Sequence, residues 1–180
     1  VSLSDFFRLV LSHGREFISI REEEQHIRSY LEIQQVRYHD ILDYEIKIAP
    51  ELYPYRILKL TLQPLVENAL YHGIKYKRAM GKITISGFLR QDGDGSRICL
   101  SVEDNGVGME AEELERLRRE IVRPCKETES GFGLANVNER IRMNFGMEYG
   151  LTITSGKGEG CAVQVVIPAQ PMEETSEEER

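Results

Sequence analysis

Two runs of alternating apolar residues, separated by a strong turn signal, constrain the fold of this chain more than any other feature. The alternating positions are Ile83 and Ile85 before the turn and Ile98, Leu100 and Val102 after it. The segment between them, RQDGDGSR, contains Asp-Gly pairs, which favour tight hairpin turns because these residues tolerate positive φ. The pattern therefore predicts two neighbouring antiparallel strands.

The apolar spacing elsewhere switches between a period of two and the helical period. Alternation predicts strands at Leu42, Tyr44, Ile46 and Ile48, at Leu151 and Ile153, and at Val163, Val165 and Ile167. Helical spacing predicts helices in SIREEEQHIRSYLEIQQVRYHD, from Thr61 onward, at residues 112–120 and in GFGLANVNERIRMNFG. The segments APELYPY and VRPCKETESG are predicted loops. Helices and strands do not alternate one by one, so this order predicts an α+β two-layer sandwich.

Composition and charge exclude several classes of function. Hydrophobic residues make up 41% of the 180 residues and charged residues 29%, which is typical of a soluble globular domain. The net charge of -7 argues against nucleic acid as the main partner, because duplex binding requires Lys and Arg to neutralise phosphates. Cys99, Cys125 and Cys161 are widely spaced without a CxxC pair, so neither a disulfide framework nor a zinc site is predicted.

A polar strip on the second predicted helix and two glycine-rich turns are the candidate binding features. Asn68, Tyr71 and Lys75 form the strip, with Glu67 and His72 at its margins. The two turns are DNGVGM after a strand and GFGL before a helix, and their glycines let backbone N–H groups approach an anionic ligand. Neither a Walker motif nor a GxGxxG motif occurs in the sequence.

Read together, these residues predict a site for ATP and Mg²⁺. Asp104 can accept a hydrogen bond from an exocyclic amine such as that of adenine. Asn68 offers a neutral oxygen to Mg²⁺, which takes few protein ligands, and Glu67 can orient or deprotonate a reacting group. Gly131 and Gly133 precede a helix whose N-terminal N–H groups and dipole suit phosphates.

Three segments then carry a resemblance to a known family. LVENALYHGI resembles the N box, DNGVGM the G1 box and GFGLANV the G2 box of the GHKL ATPases, the superfamily of gyrase, Hsp90, MutL and histidine kinases. IREEEQHIRSYLEIQQVRYHD followed by LKLTLQPLVENALYHGI resembles the LytS-like class of bacterial sensor histidine kinases. The resemblance implies a Bergerat fold with a mixed, mostly antiparallel sheet and an N-terminal helical segment.

The resemblance also implies a role for each site residue. Asn68 would coordinate Mg²⁺, Glu67 would be the catalytic N-box acid, and Asp104 would bind the adenine amine. The other implied nucleotide contacts are His72, Lys75, Gly106, Gly108, Met109, Gly131, Gly133 and Leu134. The last three of these would hinge a lid that covers the phosphates and lies between Met109 and Ser130.

The chain departs from the family pattern at two positions. Tyr71 stands where a lysine commonly precedes His72, so Lys75 becomes the candidate phosphate-binding lysine. Cys161 stands where the final hairpin usually has Thr or Ser, so a thiol replaces the hydroxyl that the family places near the adenine. For His72, the sequence leaves open either a direct contact with the nucleotide or packing beside groups that touch it.

The predicted function is the ATP-binding catalytic domain of a two-component sensor histidine kinase, with phosphoryl transfer to an upstream histidine and then to a response regulator. No NPHFLFN-type acceptor motif occurs, and His13 is not a substitute for it. Two alternatives stay open: a nucleotide-binding signalling module without phosphotransfer, and a GHKL ATPase whose lid closure drives conformational change.

The predicted organisation has three parts. Residues 1–40 would be a helical remnant of the dimerisation and phosphoacceptor region, residues 41–169 the catalytic domain, and residues 170–180 a disordered acidic tail. We expect the chain to be a fragment of a homodimeric, membrane-anchored sensor, in which these residues form a cytoplasmic domain and upstream segments contact the membrane.

Overall fold

A mixed five-stranded sheet forms one layer of the fold. The structure, a computed structural model, describes residues 16–77, 79–93, 95–123 and 133–173. The strands are β1 (Phe17–Ser19), β2 (Leu42–Ile48), β3 (Arg56–Leu58), β4 (Gly81–Asp92), β5 (Gly95–Asp104), β6 (Gly150–Gly156) and β7 (Gly160–Pro168). The sheet order is β2-β4-β5-β7-β6, with β2 parallel to β4 and the other pairs antiparallel. The predicted mixed, mostly antiparallel sheet is confirmed.

Helices packed on this sheet form the second layer. They are α1 (Ile20–Arg37), α2 (Leu62–Asn68), α3 (Ala111–Ile121) and α4 (Gly133–Phe145). Helix α2 contacts α4 and β5, α4 contacts β6 and β7, and α1 contacts β2. The predicted α+β two-layer sandwich is therefore confirmed. In the described part of the chain, no helix combines the length and the apolar character that crossing a bilayer requires.

The hairpin of β4 and β5 has the register that the apolar alternation predicts. Asp92 pairs with Gly95 beside the turn, and Ile83 pairs with Asp104 at the opposite end. The alternating apolar residues of both strands are buried: Ile83, Ile85, Ile98, Leu100 and Val102. A slip of one residue would turn all of these side chains to the other face, so their burial fixes the position of Asp104.

The N-terminal helix α1 begins with a capping box and packs its apolar face into the core. The Ser19 hydroxyl accepts the Glu22 N–H at 3.2 Å, and the Glu22 carboxylate accepts the Ser19 N–H at 2.8 Å. Ile20, Ile27 and Leu31 are buried on the inner face. They belong to the same hydrophobic cluster as the sheet residues, so α1 and the sheet share one core.

Strands β1 and β3 form a separate antiparallel pair that the sequence did not indicate. Phe17 pairs with Leu58 and Ser19 with Arg56. The Arg56 guanidinium lies 4.5 Å from the Phe17 ring centroid, and its Nε donates to Gln170 Oε1 at 2.9 Å. Strands of three residues are too short to show a period of two, so the pattern of apolar residues predicts neither of them.

The first residues of the predicted disordered tail are paired, so this part of the prediction is wrong. Arg56 N–H donates to Gln170 O at 2.8 Å, and Met172 N–H donates to Pro54 O at 2.7 Å. The partners are the Pro54 carbonyl and the Arg56 N–H in and beside β3, a strand that the sequence pattern did not predict. Residues 174–180 lie outside the described part of the chain.

Asn138 on α4 connects three elements through a single buried amide. It is 1% exposed. Its Nδ2 donates to Ile121 O at 2.6 Å, and its Oδ1 accepts the Leu151 N–H at 2.8 Å. Asn138 therefore joins the end of α3 to α4 and to β6, although no pattern in the sequence pointed to it.

We expect Asn138→Ala to lower the free energy of unfolding by about 2–4 kcal/mol, because it leaves two buried backbone groups without partners. Urea denaturation followed by circular dichroism measures this change. Asn136→Ala is the matched control, since Asn136 is exposed on the same helix. Equal stability of the two variants would show that the Asn138 hydrogen bonds contribute nothing to the fold.

Candidate functional site

Asp104 lies at the end of β5, where the G1 box begins, and is only 8% exposed. Its Oδ1 accepts the Gly106 N–H at 2.8 Å, which closes the turn after the strand. Burial raises the pKa of the Asp104 carboxyl, while the N–H groups of Gly106 and Cys161 and the Lys77 ammonium oppose that rise. A buried carboxyl with a shifted pKa beside a glycine-rich turn is a candidate functional group.

The turn after β5 touches the N-box segment through two glycines. A Cβ added at Gly73 would overlap the Asp104 carboxylate, and a Cβ added at Gly106 would overlap the backbone of Gly73. Val107 N–H donates to Gly73 O at 3.3 Å. A side chain at either glycine would push the two segments apart, so this close approach requires glycine.

The second half of the G1 box is fastened to the hairpin of β6 and β7. Gly108 has a φ of 63° and lies against the backbone of Gly156, where a Cβ has no room. Met109 N–H donates to Ser155 Oγ at 3.0 Å, and this hydroxyl donates to Gly160 O at 2.6 Å. Ser155 therefore holds the turn that contains Gly108 and Met109 in place.

Cys161 lies opposite Asp104 in the pairing of β7 with β5 and is buried. Burial raises the pKa of the Cys161 thiol to about 12, and the Asp104 charge acts in the same direction. The thiol is therefore neutral at physiological pH and only a weak hydrogen-bonding group. The departure from the family pattern thus lies directly beside Asp104.

The segment that carries Glu67 and Asn68 is not one regular α-helix, so the prediction of a continuous helix is wrong. Helix α2 ends at Asn68, a π-helical turn follows at Ala69–Gly73, and a 3-10 turn at Ile74–Tyr76. The predicted apolar side is nonetheless buried: Leu62, Leu65, Val66, Ala69, Leu70 and Gly73. A π-helical turn rotates the residues after it relative to a helical wheel, and such turns are frequent at functional sites.

The polar strip itself varies in exposure along this segment. Glu67, Asn68 and Tyr71 are half-buried, whereas His72 and Lys75 are exposed. The Lys75 Nζ lies 6.0 Å from the Tyr71 ring centroid, which agrees with the prediction that these two residues share a face. The predicted nucleotide contacts of His72 and Lys75 stay predictions, and both side chains are accessible to a ligand.

The start of α4 lies beside the first turn of α2. Gly133 begins α4, and a Cβ added there would lie 3.5 Å from Pro64 Cβ. Pro64 and Asn68 are four residues apart and share one face of α2, so Asn68 faces the side on which α4 begins. Leu134 is buried, and Gly131 lies outside the described residues.

Lysine and asparagine side chains around the G1 turn were missed by sequence reasoning. Lys77 Nζ donates to Asn105 O at 2.7 Å, and Asn105 Oδ1 accepts the Lys82 N–H at 2.7 Å. These contacts hold the turn after Asp104 against β4 and against Lys77 in the segment that precedes β4. Lys77 and Lys82 lie outside the three boxes, and only their places in the fold bring them to the site.

Helix α3 lies in the segment predicted as the lid. It buries Leu114 and Ile121 and exposes most of its charged residues, as predicted for a solvated helix. A broad surface depression beside it is lined by Glu110, Ala111, Glu112, Glu113, Glu115, Arg116 and Arg119. Among the residues that the structure describes, none of the candidate nucleotide contacts belongs to this lining.

The side chains at the site fit a nucleotide that carries Mg²⁺. Across the described ranges, no group of three or more His, Cys, Asp and Glu residues is arranged to hold a metal. Mg²⁺ in nucleotide sites takes only one or two protein carboxylates or other oxygens, with phosphates and water as its remaining ligands. Asn68 and Glu67 offer such oxygens, and the start of α4 offers N–H groups for an anion.

Comparisons with known proteins agree with this geometry. Residues 57–171 match the family model described as "Histidine kinase-, DNA gyrase B-, and HSP90-like ATPase", and residues 1–42 match that described as "Histidine kinase". The sensor protein LytS of Bacillus cereus is 34% identical over 175 residues, which cover 97% of this chain and 29% of LytS. The sensor histidine kinase BtsS of Escherichia coli is 32% identical over 151 residues, which cover 84% of this chain and 24% of BtsS.

Solved structures show the same fold. The catalytic domain of the histidine kinase ThkA matches with a TM-score of 0.60 and 20% identity, covering 87% of this chain and 97% of that domain. The mycobacterial sensor histidine kinase MprB matches with a TM-score of 0.58 and 21% identity, covering 87% of this chain and 99% of that structure. At these identities the structural likeness concerns the fold. The chain spans less than a third of the length of LytS and of BtsS.

Proposed function

This chain belongs to the histidine kinase-, DNA gyrase B- and HSP90-like ATPases, and we propose that it is the catalytic domain of a two-component sensor histidine kinase. It binds ATP with Mg²⁺ and transfers the γ-phosphoryl group to a histidine outside these residues, for relay to a response regulator. The observation that carries this proposal is the buried Asp104 carboxyl, held against Gly73 of the N box. Phosphoryl transfer needs mainly positioning and charge compensation, which such a site supplies.

The proposed adenine end of the site is the G1 turn. The ionised Asp104 carboxylate accepts the hydrogen bond of the adenine amine, while its Oδ1 also holds the Gly106 N–H. Gly106 and Gly108 let the turn pack against Gly73 and Gly156, and this packing shapes the backbone that would border the base. Met109, tied to Ser155, borders the same surface.

The proposed reaction end is α2. Asn68 would hold Mg²⁺, which offsets phosphate charge when bound. Gln63 Nε2 donates to Glu67 Oε1 at 2.8 Å and so orients that carboxylate. Glu67 then takes the proton of the acceptor imidazole as the general base.

The remaining proposed contacts serve the phosphates. His72 and Lys75 are exposed cationic or hydrogen-bonding groups on the N-box segment. The N–H groups at Gly131, Gly133 and Leu134 would face the phosphates at the start of α4, with the lid between residues 109 and 130 covering them.

We propose the wider organisation on the same basis. Residues 1–40 would belong to the dimerisation region and residues 41–169 to the catalytic domain, within a homodimeric sensor whose other segments reach the membrane. The catalytic part would then lie in the cytoplasm, where ATP and the response regulator are present.

Two other functions are distinguishable by experiment. A nucleotide-binding module without phosphotransfer is favoured by Cys161 beside Asp104 and by Tyr71 in the place of a lysine. A GHKL ATPase would hydrolyse ATP without labelling a histidine.

Radiolabelled ATP and a separate fragment that carries the acceptor histidine of a LytS-like kinase test the proposal. We expect acid-labile, base-stable label on the fragment that depends on this chain and on Mg²⁺. Binding without label would support the module, and release of phosphate without label would support the ATPase. If neither ATP nor ADP binds at millimolar concentration, the proposed function is wrong.

Cys161→Thr is expected to increase ATP affinity about 2- to 10-fold, because a hydroxyl beside Asp104 forms a stronger hydrogen bond than a thiol. Isothermal titration calorimetry with Mg²⁺·ATP measures the change. Cys99→Thr is the control. Cys99 is a buried cysteine like Cys161, but it lies in β5, five residues before Asp104. If both substitutions raise the ATP affinity equally, the effect comes from replacing a buried cysteine anywhere in the sheet and not from a hydroxyl beside the base.

A further inference from the structure

The start of α2 is capped by a side chain from another helix. Thr61 precedes α2, but its hydroxyl donates to Leu58 O at 2.6 Å and makes no cap hydrogen bond. Glu23 of α1 supplies the cap instead: its Oε1 accepts the Leu62 N–H at 2.8 Å, and its Oε2 accepts the Leu60 N–H at 3.0 Å. The first N–H groups of a helix have no partner within it, and for α2 the N–H group of Leu62 finds its partner on α1.

The Glu23 carboxylate is enclosed by the groups that it binds. It is 1% exposed. Burial raises the pKa of Glu23, while the N–H groups of Leu62, Leu60 and Thr61 and the Arg140 guanidinium oppose that rise. Its two oxygens accept from two different residues, so an amide of the same size would satisfy only one of them. A buried group of this kind fixes α1 and the start of α2 in one relative position.

Helix α4 contacts the turn before α2 from the side opposite to Glu23. Arg140 Nη2 donates to Lys59 O at 3.0 Å. Leu60 has a φ of 59°, a conformation that a residue with a branched side chain keeps only where its surroundings hold it. The turn before α2 therefore lies between Glu23 of α1 and Arg140 of α4.

We infer that Glu23 is a positioning residue through which α1 sets the placement of Glu67 and Asn68. This inference rests on the proposed function of those two residues. They are the last residues of α2, which has seven residues, so both lie within two turns of the cap. Glu23 lies in the segment matched up to residue 42 and its partners in the segment matched from residue 57, so the contact joins two separately matched parts.

Glu23→Gln tests the inference, because it keeps the size of the side chain and replaces one acceptor by a donor that faces an N–H group. ATP affinity is measured by calorimetry with Mg²⁺ and with EDTA. We expect the gain in affinity from Mg²⁺ to fall about tenfold, as for residues that orient metal ligands, with the affinity in EDTA changed less than about twofold. Glu32→Gln, an exposed change of the same charge on α1, should leave both values unchanged.

A second readout uses the chain without nucleotide. We expect amide hydrogen exchange at Glu67 and Asn68 to accelerate about tenfold in Glu23→Gln, because the cap of their helix is weakened. A lower melting temperature with an unchanged Mg²⁺ gain and unchanged exchange in α2 would assign Glu23 to stability alone and overturn the inference.

Glu23→Asp keeps the charge but shortens the reach, and it decides the question if Glu23→Gln does not fold. The unaltered chain separates the two proposals. If it binds no ATP, the proposed function fails, whereas the exchange measurement still tests the position of α2.

Discussion

Asp104→Asn is expected to weaken ATP binding about 10- to 100-fold while leaving the fold intact. Asparagine keeps an Oδ1 that accepts the Gly106 N–H, so the turn after β5 retains its hydrogen bond. Its amide group, however, turns a donor toward the donor amine of adenine. Calorimetry with ATP measures the loss, and Glu103→Gln on the same strand, where Glu103 is exposed, is the matched control.

The pH dependence of this variant separates binding from stability. Burial raises the pKa of Asp104, so in the unaltered chain nucleotide affinity should fall as the pH falls through a value above the ordinary aspartate range. Asp104→Asn should lack this fall. ATP itself titrates equally in both experiments, so the difference between the two pH profiles reports the titration of Asp104 alone. A full pH dependence in the variant would assign the titration to another group.

The contribution of Asp104 to stability should depend on pH in the opposite direction to its contribution to nucleotide affinity. A carboxyl whose pKa is higher in the folded chain stabilises the fold fully below its unfolded pKa, and that contribution is lost as the pH rises through the folded pKa. At neutral pH, Asp104→Asn should therefore be at least as stable as the unaltered chain. A large loss of stability together with the loss of binding would make Asp104 a structural residue.

Asn68→Ala is expected to reduce phosphoryl transfer to the histidine fragment at least about 100-fold, because Mg²⁺, which would offset the transition-state charge, loses its proposed protein ligand. Binding of ATP in EDTA should persist, since the adenine contact lies at Asp104. The assay measures label on the fragment over time with Mg²⁺ present. Asn144→Ala removes an exposed asparagine from the end of α4 and should transfer normally.

Full transfer by Asn68→Ala would remove Asn68 from the proposed Mg²⁺ site. Loss of ATP binding in EDTA as well would show a broader disturbance, and circular dichroism then tests whether α2 is still formed. Only the combination of retained binding in EDTA and lost transfer supports the proposed role.

The sheet and the three boxes could be predicted because each leaves a local pattern. The alternating residues of β4 and β5 must face one side, and this periodicity alone is enough to place Asp104 at the end of a strand. Asn68 and Gly133 are likewise predicted from their places in short motifs. The contact of Gly133 with the first turn of α2, at Pro64, follows from the packing of α2 on α4, which no local pattern contains.

The segment after Asn68 shows where pattern reading fails. A helical wheel assumes the same rotation for each residue. The π-helical turn at Ala69–Gly73 has a different rotation, so every residue after it points away from the direction that the wheel predicts. This turn places Gly73 against Asp104 and leaves His72 exposed. It forms where tertiary contacts favour it, so the exposure of His72 could not be predicted from spacing.

The three consecutive glutamates on α1 separate what local sequence patterns predict from what contacts between distant elements determine. Periodicity and motifs are local, so the amino-acid sequence is enough to predict that this stretch is helical, that β4 and β5 form a hairpin, and that the boxes resemble a nucleotide site. The packing of α1 against α2, which lies far away in the sequence, is what makes Glu22 cap its own helix while Glu23 caps α2. Adjacent residues of identical chemistry point about 100° apart on a helix, so the elements packed around α1 determine the role of each.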